Sequence, residues 1–489
     1  MPADPQAGDR ALAALSAREA AARIRRGALS AEALVTALIR RIEATPQLGA
    51  VTQLCAATAL ADARQVDVAR AAGHSLGRLA GVPLLVKENI DQAGEVSRAG
   101  TPGLATHRAA QDAPVLRALR EAGAIPLART NMHELALGVT TTNPATAIAR
   151  NPYALDRSPG GSSGGSAAGL AAHLAPAALG TDTGASVRAP SAFCGGAALR
   201  PSVGTGGSER RYPLDGVVPV SPTRDTLGPM ARTVDDVALL DSVITGAPAL
   251  KPVLLRGLRL GVPRRGFWEG LDGEVATVCA GALARLAEAG VELVEVDLSQ
   301  AQLLAQNTGF AVTLYEIGPA ISHYLRAAGS DLAWHRIKRQ VESPDVAAAL
   351  AAGAGITPEA YAAALHELPA LRRMYDTCFA DHGVEAVLFP TTPVTAPPID
   401  ETFSGRLAIN GLDQPGGPAA LFEAVIRNLD VGSLAGVPGV AFPAGLTRGG
   451  LPVGLEIDGP VGADRRLLAV AAALEGLMPP LPAPSFAEL

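Results

Sequence analysis

Several features that mark common protein classes are scarce in this chain. Aromatic residues make up 3% of its 489 residues and the formal net charge is −6, so it lacks the basic surface and the stacking rings that nucleic-acid binding requires. No apolar run reaches about 18 residues, and the N-terminal MPADPQAGDR lacks the pattern of a secretion signal. We therefore expect no nucleic-acid partner, no membrane span and no export.

Cysteine is equally rare, and its unpaired spacing fits reduced thiols better than a disulfide or zinc framework. The cysteines are Cys55, Cys194, Cys279 and Cys378. Reduced, buried thiols are expected, and they favour a cytoplasmic location. The His133-Glu134 pair begins an H-E-x-x-H zinc motif, but Leu137 occupies the position of the second histidine. We expect no metal or other cofactor and interpret His133 as a core or pocket-wall residue.

What the chain does have is apolar sequence arranged in a repeating order. Hydrophobic residues make up 48% of the chain. In residues 275–298, apolar residues recur at helical spacing, Gly290 ends the run, and VELVEVDL alternates as a strand does. Repetition of this order predicts an α/β/α sandwich, with a large mixed, mostly parallel, twisted sheet covered by helices on both faces.

Composition divides the chain into three parts. Residues 75–245 are rich in glycine and turn signals and form the predicted catalytic core segment, and residues 250–385 are helical and alanine-rich. Residues 386–489 return to strand patterns and the core sheet. We interpret residues 1–489 as a single domain in which the middle part is a variable insert or lid, and a separate small domain is the alternative.

Lysine usage suggests a catalytic base. Of 41 Lys and Arg residues, the lysines are Lys87, Lys251 and Lys338. Lys87 ends the apolar strand of GVPLLVKENID, where desolvation favours the neutral amine, a state that arginine does not reach. Lys87 is therefore a candidate general base, and the alternative is a snorkelling side chain paired with Glu88 or Asp91.

The loop SPGGSSGGSAAG, residues 158–169, carries five glycines and four serines. A flexible linker is disfavoured because the apolar run 167–179 reads as a helix that begins at these glycines. A phosphate loop is disfavoured because Lys and Ser/Thr do not follow the last glycine. The loop matches G-x-S-x-G at Ser162, yet no histidine follows His382, so the serine needs another base.

A second small-residue loop, LGTDTGASVRAPSAF, covers residues 179–193. Its Gly184-Ala185-Ser186 step can present successive backbone N–H groups beside a hydroxyl, which is an arrangement that stabilises an oxyanion. Asp182 and Arg188 can pair and stiffen this turn.

Together these segments resemble the amidase signature family, the amidases that use a Ser, cis-Ser, Lys triad. The resemblance covers most of the chain outside the middle insert. It is carried by GVPLLVKENIDQAG, RNPYALDRSPGGSSGGSAAG, LGTDTGASVRAPSAFCG, TLGPMART, VLFPTTPVTAPP and GLPVGLEIDGP.

The resemblance implies a role for each matching residue. Ser186 would be the acylated nucleophile, Ser162 the proton shuttle after a cis peptide bond from Gly161, and Lys87 the base. The remaining members of the loops would support them: Ser163 and Asp182 by hydrogen bonding, and Thr183, Gly184, Ala185 and Ser186 by backbone N–H groups that form the oxyanion hole.

One residue departs from the family pattern, which usually has Gly-Gly-Ser where this chain has Gly184-Ala185-Ser186. If position 185 requires positive φ, alanine there costs on the order of 1 kcal/mol. Otherwise the added methyl group reshapes the acyl pocket.

The resemblance implies an amidase acting on small-molecule amides, closest to the branch that hydrolyses arylacetamides such as indoleacetamide or mandelamide. Anilides, esters and carbamates (a urethanase activity) need the same acyl transfer. The alternatives are a glutamine-hydrolysing subunit of a tRNA-dependent amidotransferase and an inactive binding protein. The oligomeric state is open, with a homodimer as one candidate. We expect the substrate pocket near Met132, Phe310 and Leu434.

Overall fold

The computed structural model describes residues 5–400, 407–410, 412–414 and 417–484. The strands are β1 (Val51–Leu54), β2 (Pro83–Lys87), β3 (Ile125–Thr130), β4 (Ala177–Asp182), β5 (Ala197–Arg200), β6 (Thr226–Ala231), β7 (Arg259–Pro263), β8 (Glu292–Val296), β9 (Ala386–Pro390), β10 (Leu407–Ile409), β11 (Leu412–Gln414), β12 (Gly439–Leu446) and β13 (Pro452–Asp458). The helices are α1 (Pro5–Ala13), α2 (Ala17–Arg25), α3 (Ala31–Glu43), α4 (Ala56–Ala71), α5 (Pro114–Glu121), α6 (Gly164–Ala171), α7 (Arg188–Phe193), α8 (Val234–Ile244), α9 (Arg264–Phe267), α10 (Gly273–Glu288), α11 (Ser299–Ala327), α12 (Trp334–Lys338), α13 (Pro344–Gly353), α14 (Pro358–His382), α15 (Gly417–Ile426), α16 (Asp430–Ala435) and α17 (Asp464–Glu475).

A mixed 11-stranded sheet runs through the molecule in the order β1-β3-β2-β4-β6-β5-β12-β13-β9-β7-β8. Its alternating side chains enter different cores: Leu84 and Val86 of β2 belong to one apolar cluster, and Leu85 belongs to another. Helices α5, α8, α10 and α17 contribute to the first cluster, while α3, α4 and α6 contribute to the second. The predicted α/β/α sandwich is therefore confirmed.

The expectation of a mostly parallel sheet is wrong in one respect. Parallel pairing is confined to β3-β2-β4 and β9-β7-β8, and the strands between these groups pair antiparallel. Parallel neighbours need a crossover such as α5 between β2 and β3, or α10 between β7 and β8. The β12–β13 pair instead closes through a short hairpin, which makes its strands antiparallel.

The helix-glycine-strand order of residues 275–298 is present as predicted. Helix α10 ends at Glu288, Gly290 adopts φ 87°, and β8 follows. The helix predicted within 167–179 begins at the glycines but ends earlier, since α6 stops at Ala171 and β4 starts at Ala177. Pro176 precedes that strand and disfavours helical geometry in the residue before it.

The middle part of the chain is not wholly helical. Strands β7 and β8 lie at one edge of the large sheet, while the long helices α11 and α14 pack against each other beside it. This shared sheet favours one domain, although the proposed division into segments stays a prediction. In the segment 386–489, residues 401–406, 411, 415–416 and 485–489 lie outside the described residues.

All four cysteines are buried and unpaired. Among the residues that the structure describes, no helix is both long and apolar enough to cross a bilayer.

Candidate active site

Two neighbouring parallel strands place Lys87 beside the glycine- and serine-rich loop. Lys87 is the last residue of β2, whose register with β4 aligns Val86 with Leu179. Its Nζ atom lies 2.8 Å from Ser162 Oγ and 2.8 Å from Thr181 Oγ1. Thr181 Oγ1 also accepts a hydrogen bond of 3.1 Å from Asn89 Nδ2. Hydroxyl groups therefore surround the amine, and no carboxylate of the described residues contacts it directly.

Burial changes the acidity of this amine. Lys87 is fully buried, and removal from water lowers its pKa from 10.5 to about 7, against the opposing influence of Asp182 and Asp225. A substantial fraction of the side chain is then uncharged near neutral pH. The alternative of a snorkelling lysine paired with Glu88 or Asp91 does not match these contacts.

Close backbone approach explains the glycines before Ser162. A Cβ atom on Gly161 would lie 2.8 Å from the amide nitrogen of Thr140, and Gly160 adopts φ 83° against the backbone of Pro190. The peptide bond between Gly161 and Ser162 is cis, as the resemblance implies. These positions admit only glycine because backbone occupies the space that a side chain would fill.

Backbone hydrogen bonds join the two small-residue loops. Ser163 N donates to Ser186 O at 3.1 Å, and Ser163 Oγ donates to Thr181 O at 3.2 Å. The Ser186 hydroxyl has no hydrogen-bond partner within the described chain and lies on the wall of a cavity. Lys87 and Ser162 are thus in direct contact, whereas Ser186 faces the space that a ligand would occupy.

The segment that precedes Ser186 holds unused backbone donors. Within the described ranges, the N–H groups of Gly184, Ala185 and Ser186 donate to no protein acceptor. The Gly184 carbonyl is held from the other side by Arg188 Nη2 at 3.1 Å and Ser433 Oγ at 3.0 Å. Free N–H groups beside a hydroxyl can bind an oxyanion. Ala185 does not have positive φ, so the added methyl group brings no left-handed strain and instead lines the cavity.

A buried charge cluster supports the same segment. Asp182 accepts from Val187 N at 3.1 Å and lies 3.1 Å from both Arg188 and Arg200. Burial alone would raise the pKa of Asp182, but the two guanidinium groups hold it below its usual value. Arg188 Nη1 also lies 2.5 Å from Glu456 Oε1. The predicted Asp182–Arg188 pair is present, and the sequence reasoning missed Arg200 and Glu456.

A second buried carboxylate fixes the start of the segment. Asp225 accepts a hydrogen bond of 2.6 Å from Thr183 Oγ1 and bonds of 2.8 Å from Val220 N and Ser221 N. Its burial raises its pKa to about 6 despite these donors. Thr183 is thus held through its side chain, and it is one of the residues that line the cavity.

The cavity beside Ser186 is largely apolar and opens to solvent, and its empty space, counted with that open part, is about 530 Å³. Its apolar lining comes from Ala136, Leu137, Val139, Ala185, Val220, Phe310, Leu314, Phe422 and Ile426. Phe310 was predicted and lies on this wall. Met132 and Leu434 are buried and are not among the residues that line this cavity, and their assignment to the substrate pocket stays a prediction.

Arg224 and Asp430 add a charged pair to this wall. Arg224 Nη2 pairs with Asp430 Oδ1, and Arg224 Nε donates to the Thr183 carbonyl at 2.9 Å. Sequence reasoning missed both residues. Neither lies in a segment with a clear helix or strand pattern, because Arg224 is in a loop and Asp430 begins the short helix α16. Among the described residues, no group of three or more His, Cys, Asp or Glu side chains could hold a metal ion.

Comparison with known proteins places these observations in a family. The amidase family matches residues 33–468. The chain is 39% identical over 458 residues to the indoleacetamide hydrolase of Agrobacterium vitis, covering 93% of this chain and 95% of that protein. It is 38% identical over 494 residues to the mandelamide hydrolase of Pseudomonas putida, covering 96% and 93%.

Solved structures agree with this assignment. An amidase crystal structure superposes with a TM-score of 0.84 at 31% identity, covering 95% of this chain and 100% of that chain. The peptide amidase of Stenotrophomonas maltophilia gives a TM-score of 0.80 at 28% identity, with 97% and 99% covered.

Proposed function

This chain belongs to the amidase family and is an amide-hydrolysing enzyme, and from that premise we propose that it cleaves small arylacetamides through an acyl-enzyme on Ser186. The observation that carries the proposal is the 2.8 Å hydrogen bond between Lys87 Nζ and Ser162 Oγ in a fully buried, hydroxyl-lined pocket. An amine in that setting loses its charge near neutral pH and can accept a proton.

In the proposed first step, Ser186 Oγ attacks the amide carbonyl carbon while its proton passes to Ser162 and the Ser162 proton passes to Lys87. The oxygen that gains charge is received by the backbone N–H groups before Ser186. This use of free N–H groups is supported by their lack of other acceptors within the described chain and by the general value of fixed donors at a developing oxyanion.

In the second step the proton returns through Ser162 to the departing nitrogen. Amide nitrogen is a poor leaving group until it is protonated, so a relay that first removes and then returns one proton serves both halves of the reaction. Water then attacks the acyl-enzyme by the same relay, and the carboxylic acid is released.

The substrate assignment rests on the cavity and on the relatives. The wall beside Ser186 is mostly apolar, with Phe310 and Phe422 5.6 Å apart between ring centroids, and it can accept an aromatic ring. The names of the similar hydrolases specify indoleacetamide and mandelamide. Anilides, esters and carbamates require the same acyl transfer and belong in the same test.

A glutamine-hydrolysing role is less well supported. Recognition of an amino acid requires free charges for its ammonium and carboxylate groups. In this cavity the charged groups Arg224 and Asp430 pair with each other. An inactive role is also disfavoured, because residues of the right type occupy all three triad positions.

The proposal also covers the role of the helical middle region and the compartment in which the protein works. Helix α11 brings Phe310 and Leu314 to the cavity wall, so the helical part of residues 250–385 acts as a cover over the acyl group. Four unpaired cysteines favour a reducing compartment such as the cytoplasm. A homodimer stays a prediction.

The decisive experiment combines turnover with active-site labelling. The wild-type protein is assayed for ammonia or amine release from indoleacetamide, mandelamide, an anilide, a carbamate and glutamine, and is treated with a fluorophosphonate. We expect fastest turnover of an arylacetamide and labelling of one serine.

Two serine variants provide the matched comparison. Ser186→Ala should abolish labelling and turnover, while Ser208→Ala, at an exposed position, should leave both unchanged. Ser162→Ala should retain a small residual activity because the attacking hydroxyl survives. Labelling that persists in Ser186→Ala, or glutamine as the fastest substrate, would overturn the proposal.

A further inference from the structure

The His133-Glu134 pair, which resembles the start of a zinc motif, begins a segment with an unusual backbone. Leu135, Ala136 and Thr141 have φ values of 52°, 56° and 53°, and they are three of the six non-glycine residues with positive φ in the described part of the chain. Such conformations persist only where surrounding contacts fix them. The same segment supplies Ala136, Leu137 and Val139 to the cavity wall.

The imidazole of His133 contacts residues later in the same segment. Its Nδ1 atom accepts a hydrogen bond of 3.2 Å from Thr141 N and lies 3.2 Å from Thr140 Oγ1. A backbone N–H can only donate, so Nδ1 carries no proton and the ring hydrogen is on Nε2. The side chain is 1% exposed, and the space above Gly138 is filled by its ring. The imidazole therefore backs the cavity wall.

The opposite nitrogen ties the segment to the helical cover. His133 Nε2 lies 3.0 Å from Oδ2 of Asp345, in the first turn of α13, in a close polar contact that does not meet the geometry of a hydrogen bond. The adjacent Glu134 carboxylate accepts from Ser343 N at 2.7 Å and from Glu342 N at 3.1 Å. Two consecutive side chains thus contact the start of the same helix. His133 contacts the carboxylate of Asp345, and Glu134 accepts hydrogen bonds from the backbone N–H groups of Glu342 and Ser343.

The other side of the segment contacts the loop that carries Ser162. Thr141 Oγ1 donates to Gly160 O at 2.8 Å and accepts from Gly164 N at 3.2 Å. His133 N donates to Ser162 O at 3.1 Å. These contacts fix the backbone before, at and after Ser162.

We propose that His133, anchored by Asp345, is a positioning residue that holds the Ser162 loop and the cavity wall in reactive geometry and couples α13 to the proton relay. This inference rests on the proposed function, because its effect is exerted through Ser162. His133 itself does not line the cavity and is assigned no proton transfer.

The test compares variants that remove one nitrogen contact at a time. His133→Leu removes both contacts, and we expect kcat to fall about 100-fold with KM within about threefold, because a small misplacement of a reacting group costs that much. His133→Asn keeps an acceptor near the position of Nδ1 and should recover about tenfold of that loss. Asp345→Ala should lower kcat about tenfold, and Asp331→Ala, at an exposed position between α11 and α12, should match the wild type.

Coupling is measured by the double variant. Because His133 and Asp345 act through one contact, His133→Leu combined with Asp345→Ala should be no slower than His133→Leu alone. Additive losses would show two independent sites and would overturn the coupling to α13.

A second readout separates this inference from the choice of substrate. The rate of fluorophosphonate labelling of Ser186 should fall in His133→Leu and recover in His133→Asn, whichever amide is the natural substrate. Absence of turnover by the wild type would reject the proposed substrates and leave this readout intact. Folded variants with wild-type labelling, a loss confined to KM, or no recovery in His133→Asn would each overturn the inference. If His133→Leu does not fold, the labelling rates of Asp345→Ala and His133→Asn decide whether the inference holds.

Discussion

Lys87 and Arg188 are both fully buried cations beside the segment that carries the proposed nucleophile Ser186, and their partners differ in charge. Lys87 Nζ contacts the hydroxyls of Ser162 and Thr181, whereas Arg188 contacts the carboxylates of Asp182 and Glu456. We name these two surroundings the lysine pocket and the arginine pocket.

The partners decide what burial does to each cation. In the lysine pocket desolvation dominates and lowers the pKa of Lys87 to about 7. In the arginine pocket desolvation would also lower the pKa, but Asp182 and Glu456 outweigh it and raise the pKa of Arg188 above its usual value. A buried cation among hydroxyls can exchange a proton, while one among carboxylates stays charged and holds its neighbours in place.

The strongest way to break this contrast is to place a permanent charge in the lysine pocket. Lys87→Arg should lower kcat/KM by about 10³-fold, since a guanidinium does not release its proton and a general base contributes about 10²–10⁴-fold. Initial rates on the best amide substrate measure the loss. Lys251→Arg, at an exposed position, is the matched control, and a Lys87→Arg enzyme with a tenth of wild-type activity would contradict the role of neutral lysine.

Removing the charge from the arginine pocket should act on stability. Arg188→Met removes a positive charge that balances the buried carboxylates of Asp182 and Glu456. Breaking a buried ion pair in this way typically lowers the free energy of unfolding by about 3–5 kcal/mol. Urea denaturation followed by circular dichroism measures the change. Arg326→Met, on the exposed side of α11, should change it little, and a loss below about 1 kcal/mol for Arg188→Met would show that the cluster is not needed for folding.

The pH dependence of kcat/KM of the wild-type enzyme tests the lysine pocket without a mutation. Burial lowers the pKa of Lys87 to about 7, so the neutral, active amine is the minor form in acid. We expect kcat/KM to rise about tenfold per pH unit below that pKa and to level off above it. Rates in buffers of constant ionic strength measure the profile, and a rate that falls as pH rises from 5 to about 7 is incompatible with lysine as the base.

The smallest expected effect comes from altering one hydroxyl of the lysine pocket. Thr181→Val removes an acceptor that favours charged Lys87 and should shift the acid limb to lower pH by less than about one unit. The same pH profile detects this shift. Thr277→Val, on an exposed turn of α10, should leave the limb unchanged, and a shift to higher pH would mean that Thr181 does not stabilise the ammonium form.

Sequence reasoning identified the fold class and the Lys87–Ser162 contact of the lysine pocket, but it did not foresee the contact with Thr181. Helix-glycine-strand order indicated the layered architecture, and the scarcity of lysine drew attention to Lys87. The two serine loops and the family resemblance then supplied Ser162 and Ser186. These signals are local, so each could be read from a few consecutive residues.

The arginine pocket and the cavity wall were harder to foresee. GLEIDGP contains two acidic residues within an otherwise apolar segment, and that signal could have indicated Glu456 and Asp458 as buried partners of a cation. Met132 and Leu434 were predicted near the pocket but do not line this cavity, and an apolar side chain suits a core and a pocket equally well. Strand direction was also missed, since periodicity identifies a strand without identifying its neighbour.

The sequence by itself determined which residue types were available: a lysine at the end of an apolar strand, glycines where backbones meet, and hydroxyls in two small-residue loops. Only the tertiary structure decided that hydroxyls surround Lys87 and that Glu456 joins the predicted Asp182–Arg188 pair, because β13 lies far from β4 and α7 along the chain. Desolvation and nearby charge set a pKa through distances in space, and local sequence patterns do not contain those distances.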